Sequence, residues 1–522
     1  MDLVKKNIHM DRVRNSTMTQ LSLDEDMNLP DSKPDCSMIC FSRGWVETEE
    51  IKPLMDEIRI SGNLHFCLLY HTEENGCNLV RLESKLPFEE KLHLEGIIPS
   101  DLVQIDGEVE DLTVGMINSR KLNIRSVICL HVKVEELYDE EITIGIHAKE
   151  PVEYRRSTMD LAQILIHKKD IYRLKEEFPV PANYPNIYQI LWNDLTIKDV
   201  EFKLMNGRLA LQGEVKAFIM YEAEGDAHDV LFFDKSIPFS GVIDCQGCRD
   251  DLMPDIRYGI SQKEFTIRPD EDGEERNIGL EMVLELKMSL YEEEPMEMIT
   301  DIYGVGCEVN SQCRNATLQK PLARVGGRVK LAEKVRVKGK SGGILQIVHS
   351  EGNVSVEDVQ NTPEGLQIAG ILHVKILFIT GEDTMPYASA EKQLPYSYTL
   401  EIPQLQKTDV SNVQAQVEQM QIQLLDGEEM EVRANLGFHT TTFRPIPMEL
   451  VETIETEPLD GEKWSSIPGM VVYVVKPGDT LWNIGRRYYI PVEQLKQLNN
   501  LESDMLQVGQ QLFIVKGGMG EF

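Results

Sequence analysis

The chain has 522 residues, a length that suggests about three or four domains. Acidic residues outnumber basic ones 87 to 53, and the net charge is −34, with 42% of residues hydrophobic and 27% charged. That balance fits folded protein rather than disorder, and argues against nucleic acid or an anionic membrane surface as the main ligand, since both need clustered Lys and Arg. The nine cysteines are odd in number and irregular in spacing, and read as reduced thiols. The start, Met1 to Asn15, carries charges and no apolar run of signal-peptide length. No stretch approaches the ~18 to 20 apolar residues of a membrane helix, so no membrane span is expected. The expectation is a protein that stays in the compartment where it is made.

Residues 1–24 form an N-terminal segment before three copies of one β-rich unit. Each copy carries a glycine followed by an apolar, partly alternating run that ends in an aromatic residue: Gly62 to Tyr70, Gly213 to Tyr221 and Gly370 to Phe378. Such runs are strand-like. In every copy a proline followed by an aromatic residue stands 25 residues after that glycine: Pro87-Phe88, Pro238-Phe239 and Pro395-Tyr396. The period is 151 and then 157 residues, which is domain-sized, so this is a tandem array rather than a solenoid. The units are placed at 25–140, 175–295 and 335–448, with connectors at 141–174 and 296–334. A short helix is expected from Met159 to Glu177. Prolines inside the strand signals point to edge strands or strand starts, and two packed sheets bury such strands. Residues 449–470, rich in Glu with Pro458 and Pro468, read as a flexible acidic linker.

Residues 471–516 differ in kind. Val472 to Val475 is a strand and Lys476-Pro-Gly-Asp479 a turn. Asp479 or Thr480 caps a helix whose core side is Leu481, Ile484 and Tyr488. Pro491 suits the first turn of a second helix, and Gln511 to Ile514 is the closing strand. The order is β-α-α-β. The expected fold is therefore mainly β: three tandem sandwich-like domains and this small module. Five bases and five acids cancel after residue 470, so the whole net charge lies in the units and linker.

No His-Glu-x-x-His or Gly-x-Ser-x-Gly pattern occurs, and no catalytic residue, metal or cofactor is assigned. Gly339-Lys340-Ser341 imitates the end of a phosphate-binding loop, but Lys334 stands where that loop's first glycine belongs. Cys245-Gln-Gly-Cys248 has the spacing of a metal or redox pair. The repeat register, however, puts Leu94 and Ile97, or Ile402 and Leu405, at the same positions, so both cysteines are read as core. Lys320 to Lys340 is a basic island, read as an exposed strand face or as a docking patch for an acidic partner.

The C-terminal pattern resembles the LysM domain. The residues that carry this are Tyr473-x-Val475-x-Pro477-Gly478-Asp479-Thr480-Leu481-Trp482-x-Ile484, then Leu495-x-x-Leu498-Asn499, then Leu506-x-Val508-Gly509-Gln510-x-Leu512-x-Ile514. The resemblance implies binding of N-acetylglucosamine-containing glycans in a groove between the loop at Gly478 to Trp482 and the loop at Leu506 to Gln510. Candidate contact residues are Gly478, Asp479, Thr480, Trp482, Leu506, Gln507, Val508 and Gly509. Arg486 and Tyr489 join them, because they share a helix face with Trp482, and an exposed Trp–Arg–Tyr stripe is expected there.

The three units resemble the SPOCS domain of spore-coat assembly proteins, on the glycine-strand-aromatic and proline-aromatic markers. Three such units followed by one LysM module resemble the SipL-like spore coat morphogenetic family. The resemblance implies a non-enzymatic adaptor in the mother-cell cytoplasm, at the forespore surface or spore coat. Its implied partners are the polymerising ATPase stage IV sporulation protein A, bound by the LysM module, and other coat proteins, bound by the β units. The alternative is LysM-mediated peptidoglycan binding that tethers the coat to the cortex.

Overall fold

The computed structural model describes residues 2–73, 78–225, 228–337, 343–382 and 385–516, and up to residue 458 it is built from strands. The first unit comprises β1 (Asp2–Asn28), β2 (Met38–Pro53), β3 (Glu57–Thr72), β4 (Asn78–His93), β5 (Leu102–Asn118) and β6 (Lys121–His147). The second comprises β7 (Val152–Pro179), β8 (Ile187–Met205), β9 (Arg208–Ala223), β10 (Val230–Asp244), β11 (Met253–Pro269) and β12 (Glu275–Gly304). The third comprises β13 (Cys307–Arg336), β14 (Ile344–Thr362), β15 (Gly365–Thr380), β16 (Tyr387–Leu400), β17 (Val410–Leu424) and β18 (Glu429–Pro458). In each unit the second to fourth strands form one antiparallel sheet with the third in the middle, and the first, sixth and fifth form another with the sixth in the middle. The middle strands supply the core: Leu211, Val215 and Ile219 of β9 share one buried cluster with Leu280, Leu284 and Leu286 of β12. The proline markers lie on β4, β10 and β16, which are edge strands, where a missing N–H leaves no ladder bond unmade.

The repeat markers have one physical cause. Gly62 pairs with Phe88, Gly213 with Phe239 and Gly370 with Tyr396 across the sheet. On its other side each glycine lies at a register break with the unit's second strand, between Thr48 and Glu50, Lys198 and Glu201, and Val356 and Asp358. The bulge brings the carbonyl of Glu47, Lys198 or Ser355 to the space a Cβ needs, while the paired aromatic side chain covers the glycine. Gly370→Ala therefore drives a methyl into the Ser355 carbonyl and the Tyr396 hydroxyl. Urea unfolding should show unit 3 destabilised by about 2–3 kcal/mol. Gly115→Ala, whose nearest neighbour is the Asn123 carbonyl at 3.9 Å, should stay within about 0.5 kcal/mol of wild type.

The outer sheets correct the expected boundaries. The N-terminal segment is β1, paired with β6 from Asp2 to Asn28. The segment from Met159 to Glu177 is strand, not helix: it lies in β7 and pairs with β12, Met159 opposite Met296 and Glu177 opposite Gly279. Its helix-favouring residues are overridden by tertiary pairing, which buries Leu161, Ala162, Leu174 and the neighbouring Phe178. Residues 296–334 form the end of β12 and most of β13, and residues 449–458 complete β18 instead of starting a linker. The connectors shrink to short turns because the first and last strands of each unit hydrogen-bond along almost their full lengths.

The three units also close on one another. One buried cluster joins Cys40 and Phe41 to Leu191, Trp192 and Met220, and to Val348 and Leu377. A second joins Ile8, Met10 and Ile142 to Leu161 and Met298, and to Leu318 and Leu450. Each cluster draws on all three units. Cys245 and Cys248 sit buried in the unit 2 core, at the apolar positions the register assigns them. Among the described residues eight cysteines are free, and burial pushes the Cys67 thiol up to about 12. The phosphate-loop look-alike Gly339-Lys340-Ser341 lies outside the described residues. Among the described residues no helix is long and apolar enough to cross a membrane.

Candidate functional site

After β18 come α1 (Gly461–Ser466), β19 (Met470–Val474), α2 (Leu481–Tyr488), α3 (Val492–Asn499) and β20 (Gln511–Val515). Thr480 caps α2 by accepting a hydrogen bond from the Asn483 N–H at 3.1 Å. Asp479 accepts from the Tyr473 hydroxyl at 2.7 Å and from the Lys476 N–H at 2.8 Å, and these bonds hold its carboxyl below the usual range. Gly478 and Gly509 take positive φ, 87° and 88°, which tightens the two loops that carry most of the candidate contact residues. The Asn499 side chain donates to the Leu495 and Phe513 carbonyls and accepts from the Phe513 N–H, tying α3 to β20. Leu481, Ile484, Leu495, Leu512 and Ile514 fill the module's core, with Tyr488 packed against it.

The candidate residues divide into two surfaces. Gly478, Thr480, Gln507, Val508 and Gly509 face solvent, with Val508 68% exposed, while Leu506 leans on the core and Asp479 is committed to the turn. The Trp482–Arg486–Tyr489 stripe shares a face, but it is not the exposed stripe expected: Trp482 is only 8% exposed. That face rests against the corner where β12 turns into β13. The Trp482 indole N–H donates to Asp301 at 2.7 Å, its ring meets Tyr303 edge-on at 4.7 Å between centroids, and the Arg155 guanidinium lies 4.9 Å from the ring centre. Arg486 pairs with Asp301 at 3.1 Å and donates to the Ile302 carbonyl, and the Tyr489 hydroxyl bonds Glu308 at 3.2 Å. The spacing that exposed the stripe in the sequence could not show that the β12–β13 corner, 181 residues upstream, supplies a matching surface.

A second polar cluster went unread in the sequence. Arg43 on β2, Asp194 on β8 and Glu351 on β14 occupy one repeat position, 151 and 157 residues apart. Arg43 pairs with Asp194 at 2.7 Å and with Glu351 at 3.0 Å, while its guanidinium lies over Trp192. His349 stacks on Phe218 and stands 3.6 Å from Asp194 and 3.5 Å from Glu351. Asp194, His349 and Glu351 each turn one ligand atom to within 4.8 Å of the others, a set that can hold a metal ion. Arg43, with Lys263 at 3.5 Å from Asp194, already supplies the counter-charge there. Burial works against charge at Asp194, but His349 and Arg43 hold its carboxyl well below the usual range. The cluster borders a cleft of about 1350 Å³ lined by all three units, with Val109, Tyr258 and Gln416 on its walls. The arrangement is an ionic tie between three units. Its signal in the sequence was the repeat register itself.

The fold and site together define a multi-unit β-sandwich body that carries a small terminal binding module. Residues 16–117, 186–268 and 343–425, about half the chain, match the SipL, SPOCS domain family, and residues 473–515 match the LysM domain. The chain belongs to the SipL, SPOCS domain family. LysM is a peptidoglycan-binding module, and the SPOCS family points to a role in the sporulation coat. Curated relatives align through the LysM stretch. The probable peptidoglycan endopeptidase LytE of Bacillus subtilis is 52% identical over 40 residues, 8% of this chain and 12% of that protein. A probable N-acetylmuramidase of Lactococcus lactis subsp. cremoris is 50% identical over 42 residues, 8% and 10% of the two chains. The N-acetylmuramoyl-L-alanine amidase sle1 of Staphylococcus saprophyticus is 36% identical over 63 residues, 12% and 19%. The chain thus spans less than a fifth of the length of these relatives. No solved structure matches it.

Proposed function

We propose that the chain is a non-enzymatic adaptor of spore coat assembly, acting at the forespore surface in the mother-cell cytoplasm. In this reading the LysM module grips the polymerising scaffold ATPase, stage IV sporulation protein A, and the three β units present surfaces to other coat proteins. The observation that carries it is the architecture: three SPOCS units packed into one body, with one LysM module at its end. Along a polymer, many copies bind at once, so a modest single-site affinity suffices.

The second reading is a cortex tether that binds peptidoglycan through the groove. It is favoured by the exposed loops at Gly478, Thr480, Gln507, Val508 and Gly509, and by the peptidoglycan-degrading relatives that share the module. A groove variant tests which face of the module makes which contact. Val508→Asp places a charge on a residue already in solvent, so stability should not change. If the groove receives glycan, retention on washed peptidoglycan should fall at least about tenfold, while binding of the full-length protein to scaffold filaments through the α2 face should stay within about twofold. Soluble N-acetylglucosamine oligomers separate the readings: they should leave scaffold binding intact, and should compete if the ligand is glycan. Loss of filament binding in Val508→Asp would put the scaffold contact in the groove and contradict its reception on the α2 face.

A further inference from the structure

The surface at the β12–β13 corner is built to receive the α2 face. Tyr303 does more than cover Trp482. Its hydroxyl donates to the Ile490 carbonyl, buried, at 2.8 Å, and so reaches inside the LysM module itself. Gly485 makes that approach possible, because a side chain there would strike both the Tyr303 hydroxyl and the Ile490 carbonyl. Asp301 is shared by the Trp482 indole and the Arg486 guanidinium. Glu308, just past the turn, takes Tyr489, and Arg155 on β7 closes over the indole. The contact thus has an aromatic centre under a ring of polar pairs, the anatomy of a protein–protein hot spot. It is formed within one chain. Between Pro458, the end of β18, and Met470, the start of β19, lies only a short segment containing α1.

We propose that this contact is a latch. In the closed chain the Trp482–Arg486–Tyr489 face is occupied by the chain's own Asp301, Tyr303 and Glu308, while the groove loops stay open. A protein partner that uses the α2 face must displace the corner, so its apparent affinity is lowered by the fraction of molecules that are open. The partner half of this inference rests on the adaptor reading above; the latch itself does not.

The test uses the full chain carrying Asp301→Ala and Tyr303→Ala, both outside the LysM module, so the module's own side chains are unchanged. Hydroxyl-radical footprinting reads the accessibility of Trp482, and co-sedimentation with stage IV sporulation protein A filaments reads affinity. The expected result is Trp482 labelling that rises at least about fivefold, with filament affinity up about tenfold. The affinity gain should vanish when Trp482→Ala is added. Labelling equal to wild type would overturn the latch. Labelling that rises while wild type and variant bind filaments equally would overturn the masking and leave the adaptor reading standing. Loss of affinity in the variant would put the corner in the partner's own contact, and would equally overturn masking. If no form binds filaments, the adaptor reading fails, and the footprint alone decides whether the latch exists.

Discussion

Replacing Arg43 by methionine should destabilise the protein by about 3–5 kcal/mol, read as a lower midpoint in urea unfolding. Asp194 and Glu351 are 16% and 15% exposed at the side chain, and Arg43 bridges them at 2.7 and 3.0 Å. Methionine has similar length, so little packing is lost. What remains is two buried carboxylates without the guanidinium that offsets their desolvation, and breaking such a pair from one side is far costlier than never having it. The contrast is a surface pair. Lys175 and Glu281 meet at 2.7 Å but are 67% and 42% exposed, so Lys175→Ala should cost no more than about 1 kcal/mol. Because the bridge ties β2 to β8 and β14, Arg43→Met should also loosen the three units from one another. Limited proteolysis between units is the check.

The same cluster should make stability depend on pH with a definite sign. Burial disfavours the charged imidazole of His349, but Asp194 and Glu351 outweigh it and raise His349 to about 9. A histidine raised on folding contributes stability that is fully present below its ordinary range, near about 6.5, and is lost as pH climbs through about 9. The groups that face it are Asp194 on β8, Glu351 on β14, and Arg43 on β2 and Lys263 on β11 behind them. Lys263, held below the usual lysine range by burial and by Arg43, titrates nearby, so a direct comparison isolates the imidazole. The stability difference between wild type and His349→Gln should be large near pH ~7 and shrink by pH ~10. A difference that holds constant or grows across that range contradicts the ionic tie.

What could be read ahead of the fold followed local chemistry. Gly62, Gly213 and Gly370 announced themselves because a bulge carbonyl and a cross-strand ring leave no room for a side chain, and that constraint recurs at fixed offsets. Cys245 and Cys248 were legible as core from the residues that replace them in the other units. The long outer strands were not. In β1 and β13 buried positions are scattered among charged ones, as in Lys-Lys-Asn-Ile8-His-Met10-Asp, so alternation is blurred by charges that pair across the sheet. Met159 to Glu177 carries helix-favouring side chains, and only the partner strand β12 decides otherwise. At the site, the cap and turn chemistry of Asp479 and Thr480 was readable, since those side chains act on backbone a few residues away. The burial of Trp482 was not, because Asp301 and Tyr303 lie in another unit. The Arg43–Asp194–Glu351 tie lay in plain register, yet one base and two acids at a repeat position suggest nothing until the three units are seen to meet.

The division of the LysM surface bears on function. In the proposed reading, the exposed loops at Gly478 and Val508 and the occupied α2 face put glycan and protein on different sides of one small module. Assembly on a scaffold and contact with cortex glycan then need not exclude each other.

The most direct measurement is parallel co-sedimentation of the full-length protein with stage IV sporulation protein A filaments and with washed peptidoglycan, each with and without soluble N-acetylglucosamine oligomers. The adaptor account predicts retention on the filaments that the oligomers do not displace. Retention on peptidoglycan alone, released by the oligomers, would contradict it and make the protein a cortex tether.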